Sequence, residues 1–190
     1  MKRKIKSKKI VSILMAAMLA VSMTACGGNK DNATGTAQEQ VKDINMTELH
    51  QKVKEAYGED YLPSMSLDET FIKDLLGLTT DMYEEIIAEM PAVSVHIDTF
   101  VAVKAKEGQA DAVETALNAY RDAQINDTMM YPANAVKIQG SQVVRHGDYV
   151  FFVCLGTIPM EIQEQGDEAM LAEAKKLTQK AVDVIDSYFE

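Results

Sequence analysis

Two hydrophobic periods divide the chain. From Met46 to Tyr57, the residues Leu49, Val53 and Tyr57 recur at four-residue spacing and Gly58 follows, which predicts a short amphipathic helix. The turn Leu62-Pro63-Ser64 leads to a second helix that Ser66 or Asp68 can cap, bearing Phe71, Ile72, Leu75 and Leu76 and stopped near Gly77. A third helix is expected from Thr80 or Asp81 to just before Pro91. The front third of the folded part therefore reads as helical.

The period changes at Ala92. Val93, Val95, Ile97 and then Val101, Val103 and Ala105 alternate with other residues, as half-buried strands do, either as one long strand or as two pieces broken at Asp98. Helical spacing returns from Gly108 to Asp127, with Ala110, Val113, Leu117, Tyr120 and Gln124 on one face. Residues 132–139 fit a short proline-initiated helix or a strand carrying Val136 and Ile138. Ser141 to His146 and Asp148 to Leu155 predict a hairpin around Gly147, whose second strand, YVFFVCL, is apolar on both faces and so reads as central. Leu171, Ala174, Leu177, Ala181, Val182 and Ile185 mark a long helix within Ala169 to Phe189. The fold expected is α+β: N-terminal helices, then a β-α-β-β-α unit whose small, mainly antiparallel sheet is packed by helices on one face.

Ahead of this pattern stands a segment of another kind. Lys2, Arg3, Lys4, Lys6, Lys8 and Lys9 precede an apolar run from Ile10 to Val21. As a helix the run would span roughly 18 Å, short of the ~30 Å of a bilayer core, so it reads as an export signal. Small residues then abut a cysteine in Ser22-Met23-Thr24-Ala25-Cys26, which resembles the lipobox of bacterial lipoproteins, with Met23 where Leu is usual. The expectation is cleavage before Cys26 and diacylglycerol on its thiol, a two-chain anchor that holds without a second signal. Residues 1–25 would be signal peptide, 26–43 the lipidated cysteine and a flexible tether, and 44–190 one α+β domain on the outer face of the cytoplasmic membrane.

Composition sharpens this picture. With 47% hydrophobic and 25% charged residues the chain is ordinary globular material. Its formal charge is −10, from 19 basic and 29 acidic residues; removal of the leader takes six positive charges and leaves −16. Such a balance repels phosphate backbones and anionic polymers, so no nucleic-acid partner is expected. Of the two cysteines, only Cys154 stays free once Cys26 is acylated, which leaves no intramolecular disulfide.

The leader, the segment FVAVKAKEGQADAVETALNAYRDAQ, the Tyr131-Pro132 pair and the block SQVVRHGDYVFFVCLG together resemble the DUF4358 family. The resemblance runs over roughly residues 44–190 and implies a lipoprotein of Gram-positive bacteria. It carries no assigned activity and no catalytic residue. It also implies an accessory role in envelope modification, since such lipoproteins are often encoded near membrane-bound O-acyltransferases.

The side chains offer little chemistry of their own. His50, His96 and His146 form no pair at metal-ligand spacing; His50 is expected on the exposed side of its helix, His96 on the wetter face of the sheet and His146 at a hairpin turn. Cys154 sits among Phe152, Val153 and Leu155 and reads as a buried, inert thiol. No GxSxG elbow, SxxK pair or phosphate-gripping glycine loop is present, and the acidic groups Glu84-Glu85 and Glu161, Glu164, Asp167, Glu168 read as solvated faces. The domain has no Trp to serve as a sugar platform. Arg121 and Arg145 are the mature chain's two arginines, open to internal acid pairing or to a partner contact. Arg121, Tyr131, Arg145 and His146 are thus the candidate binding surface, with no metal, cofactor or catalytic group expected. The function expected is a non-enzymatic binding or scaffolding module for a cell-envelope partner, with an envelope-modification subunit or enzyme and a small-ligand receptor as alternatives.

Overall fold

The computed structural model describes residues 42–190. Helix α1 (Met46–Tyr57) is capped by Asn45, whose side chain accepts from the Glu48 N–H at 3.0 Å. Strand β1 (Met65–Ser66) is followed by α2 (Glu69–Leu76), where Asp68 accepts from the Phe71 N–H at 2.9 Å and left-handed Gly77 ends the helix. Strands β2 (Tyr83–Met90) and β3 (Thr99–Ala105) come next, then α3 (Ala110–Ile125) and α4 (Pro132–Lys137), which opens on its proline. The hairpin β4 (Gln142–His146) and β5 (Tyr149–Cys154) precedes the short α5 (Met160–Gln163) and the long α6 (Asp167–Asp186).

The five strands form one sheet in the order β1-β2-β3-β5-β4, with every neighbouring pair antiparallel. In its centre Thr99 stands opposite Cys154 and Lys104 opposite Tyr149. All six residues of β5 are buried. Val101, Val103, Val150 and Phe152 meet Ile72 and Leu76 of α2 and Val113 and Leu117 of α3. On the other face Phe100, Ala102, Phe151 and Val153 meet Leu49 and Val53 of α1 and Ala181 and Ile185 of α6. Each such aliphatic or aromatic side chain contributes about 1.5–3 kcal/mol by leaving water.

The class and the antiparallel sheet match the sequence reading, but three details change. The helices cover both faces of the sheet, not one, because β3 and β5 are apolar on both sides and either bare face would lie in water. The helix expected from Thr80 or Asp81 is strand β2: tertiary pairing with β3 outweighs the helix preference of its Glu, Ala and Met residues. Val93, Val95 and Ile97 belong to the connection between β2 and β3, since Pro91 ends the first strand and the second begins at Thr99. Residues 132–139, left open between helix and strand, are helical in α4 and the turn of 3-10 helix after it.

The domain's start is pinned at one end of the sheet. Asp43 accepts from the Tyr149 hydroxyl at 2.5 Å and from Lys104 Nζ at 3.1 Å, so the chain enters beside the last residues of β3. Cys26, the expected leader and residues 27–41 lie outside the described residues. Among the described residues no helix is long and apolar enough to cross a membrane.

Candidate functional site

The opposite end of the sheet carries the groove. There the chain reaches β3 through Asp98, whose side chain is fully buried. One carboxylate oxygen accepts from Lys137 Nζ at 2.7 Å and the other from the Gly156 N–H at 2.9 Å. Three segments remote in sequence are thus tied together: the loop 91–98, helix α4 and the segment leaving β5. Asn134 adds a bond from its side-chain amide to the Val95 carbonyl at 2.8 Å, holding the loop against α4.

Two concavities open above this tie and share His96, Tyr131 and Asn134. The first, about 380 Å³, is walled by Met65, Met90, Met129 and Met130 with Tyr120 behind. The second, about 300 Å³, holds Val95, Ile158 and Met170 beside the polar groups of Thr157, Gln163 and Lys137. Both reach the size at which small ligands or single side chains of a partner are enclosed. Around them the apolar residues Met65, Val93, Val95, Met129 and Tyr131 stand exposed, Met129 at 90% and Tyr131 at 64%. Methionine is unbranched and polarisable, so such walls adapt to varied apolar guests.

The Cys154 thiol and the Tyr120 ring are both buried. Cys154 is buried and its thiol is pushed up to about 12 by desolvation, too high to supply thiolate at neutral pH. Tyr120 is likewise raised to about 12 by burial, with its ring edge-on to Phe152 at 5.1 Å. Among the described residues no cluster of His, Cys, Asp or Glu can hold a metal ion.

Of the four residues expected as a binding surface, only Tyr131 lies in the groove. Arg121 donates from Nε to the Ser141 carbonyl at 3.0 Å and holds the start of β4. Arg145 donates to Asp111 at 2.5 Å and to Glu114 at 3.0 Å. His146 faces the other side of the sheet, with Nε2 at 2.8 Å from Asp186 Oδ1 and its ring stacked on Phe189 at 4.3 Å. Arg145 and His146 diverge because successive strand residues point to opposite faces. The expectation of an exposed His50 is also corrected. It is 8% exposed, stacks on Phe100 at 5.1 Å and places Nε2 2.9 Å from the Tyr61 hydroxyl and 3.1 Å from Glu89. Glu89 in turn pairs with Lys54 at 3.2 Å. His96 stands exposed in the loop between β2 and β3, at the lip shared by the two concavities, and not on the sheet.

Sequence reasoning missed Asp98 with Lys137, the pair Met129-Met130, and Asn134. The one signal available was a charged residue, Asp98, directly before an apolar strand.

Fold and site together define an antiparallel sheet sealed by helices on both faces, with an apolar, methionine-lined groove at one end. The chain belongs to the DUF4358 family: the family model, described as a domain of unknown function, matches residues 56–155. That span includes the whole sheet and the exposed groove residues Met65, Val95, Met129 and Tyr131. No curated protein and no solved structure matches the chain.

Proposed function

We propose that this chain is an exported, lipid-anchored binding module that holds a cell-envelope protein partner through the groove around Tyr131, and that it works by binding and not by catalysis. The observation that carries this reading is the gathering of exposed methionine, valine and tyrosine side chains around two confluent hollows. Contiguous apolar surface of that kind marks interaction sites on soluble domains. Asn134, Gln163 and His96 are available to orient a bound segment, with Asp127 and Lys137 also in the lining.

The anchor part rests on the leader and Cys26, and the docking part on the groove, so each is tested separately. Replacement of Cys26 by Ala should release the protein from membranes and abolish palmitate labelling; retention of both refutes the anchor. A photo-crosslinking residue at Met129 on intact cells should give one defined protein adduct that the same residue at Lys176, on α6, does not give. Tyr131→Ala should lower that adduct about tenfold or more, as loss of an exposed aromatic anchor does, while leaving stability within about 0.5 kcal/mol. An adduct indifferent to both changes, or none at saturating illumination, refutes docking at the groove.

A further inference from the structure

The sheet has a second open feature, at β4. The Asp148 carbonyl accepts from the Ala105 N–H at 2.8 Å, so at the start of β5 it points towards β3. Backbone direction alternates along a strand, so Tyr149, Phe151 and Val153 turn their N–H and C=O groups the other way, towards β4. Their register partners there are His146, Val144 and Gln142. Val143 and Arg145 therefore direct their N–H and C=O groups away from the sheet. Among the described residues no backbone group pairs with them. Just before the strand, the Ser141 carbonyl is taken up by Arg121, which stops the open ladder at that end.

The flanks of this edge are charged with one predominant sign. On the α3 side stand Asp111 and Glu114, 89% and 40% exposed and shared by Arg145. On the α6 side stand Asp186, against His146, and Asp183, against Gln179, whose own amide oxygen lies 3.3 Å from the Gln142 side-chain nitrogen. Four carboxylates thus border the strand against the Arg145 guanidinium and Lys175, one turn ahead of Gln179. Between them Val143 and Val144 are only half-buried.

We propose that the free edge of β4 is a second docking site, which takes an extended segment of a partner protein by strand addition, apolar at its centre and bearing Lys or Arg at the flanking positions. An added strand would meet four outward backbone groups, cover Val143 and Val144, and place alternate side chains next to Asp111 and Glu114 on one face and Asp183 and Asp186 on the other. A second copy of this chain fits less well, because edge-to-edge pairing would bring the two sets of carboxylates together. The site is independent of the groove at Tyr131.

The probe is a short synthetic peptide with two central valines and two lysines on either side, so that each face of the added strand carries lysine at both ends, with the same peptide carrying glutamate for lysine as control, titrated against the full chain in detergent. The lysine peptide is expected to bind and to slow amide exchange at Val143 and Arg145 by about tenfold or more, while the glutamate peptide does neither. Val143→Pro removes one outward donor at an edge position where proline is tolerated, and should abolish binding. If that variant fails to fold, the Asp111→Lys, Asp186→Lys double variant should abolish it instead. The proposal is overturned if the lysine peptide does not bind, if binding survives both variants, if Tyr131→Ala weakens it, or if the edge instead mediates self-association that Val143→Pro removes.

Discussion

Removing the charge of Lys137 probes the tie beneath the groove. Lys137→Met keeps most of the methylene stem and deletes the ammonium, leaving the Asp98 carboxylate fully buried with only the Gly156 N–H for support. Stranding one member of a buried ion pair costs about 3–5 kcal/mol. In a domain of this size that lowers Tm by roughly 6–20 °C. The converse change, Asp98→Asn, should cost less, about 1–3 kcal/mol. The Asn oxygen still accepts from Gly156, and Lys137, at 9% exposure and lining the smaller hollow, can turn its ammonium towards water there. Urea unfolding of both single variants and the double variant supplies the energies and the coupling between them. The reasoning is refuted if Lys137→Met costs under about 1 kcal/mol, or if Asp98→Asn is the costlier of the two.

Three further outcomes follow from packing and titration. Gly140→Ala should destabilise by about 1–3 kcal/mol in denaturant melts, because the new Cβ would stand 2.7 Å from the Ala174 Cβ and 2.9 Å from α6 backbone; a neutral result would mean the helix shifts freely. His50 has its pKa lowered chiefly by burial, against the opposing pull of Glu89. The unfolded chain therefore takes up a proton first as pH falls through about 6.5, and stability drops from there until the folded pKa is passed. Thermal melts should show that loss, and His50→Gln should flatten it; parallel curves for the two proteins refute the assignment. Cys154 should resist maleimide in the folded protein and react on unfolding, so modification at the native rate of an exposed thiol contradicts its burial.

How much was legible in the sequence depended on where the deciding contact lay. Helices α1, α2, α3 and α6 declare themselves locally, through apolar spacing and through Asp68, Gly58 and Gly77 at their ends. The β4-β5 hairpin is equally local. Strand β2 is not: its Glu, Ile and Ala residues satisfy a helical spacing, and only the register with Phe100 to Ala105 selects the strand. The two-sided cover of the sheet was implied by YVFFVCL, since a strand apolar on both faces needs a layer on each, yet the expected cover was placed on one. The groove was the least legible feature. Its defining tie joins Asp98 to Lys137 across 39 positions, and no local pattern encodes such a distance.

The same sealing that made the fold stable decides where function can sit. With α1 and α6 over one face and α2 and α3 over the other, the Cys154 thiol, the His50 ring and the Asp98 carboxylate are withdrawn into packed layers. Two of the places left open are the loop end of the sheet and its edge at β4. At the end, strands β2 and β3 are joined by an irregular loop in which Ile97 packs on the core while Val93 and Val95 stand exposed. At the edge, β4 has one ladder partner where an interior strand has two. Both are places where the docking proposed above would complete interactions the fold leaves unmade. That distribution, a packed interior with unfinished margins, is what the two docking sites proposed above rest on.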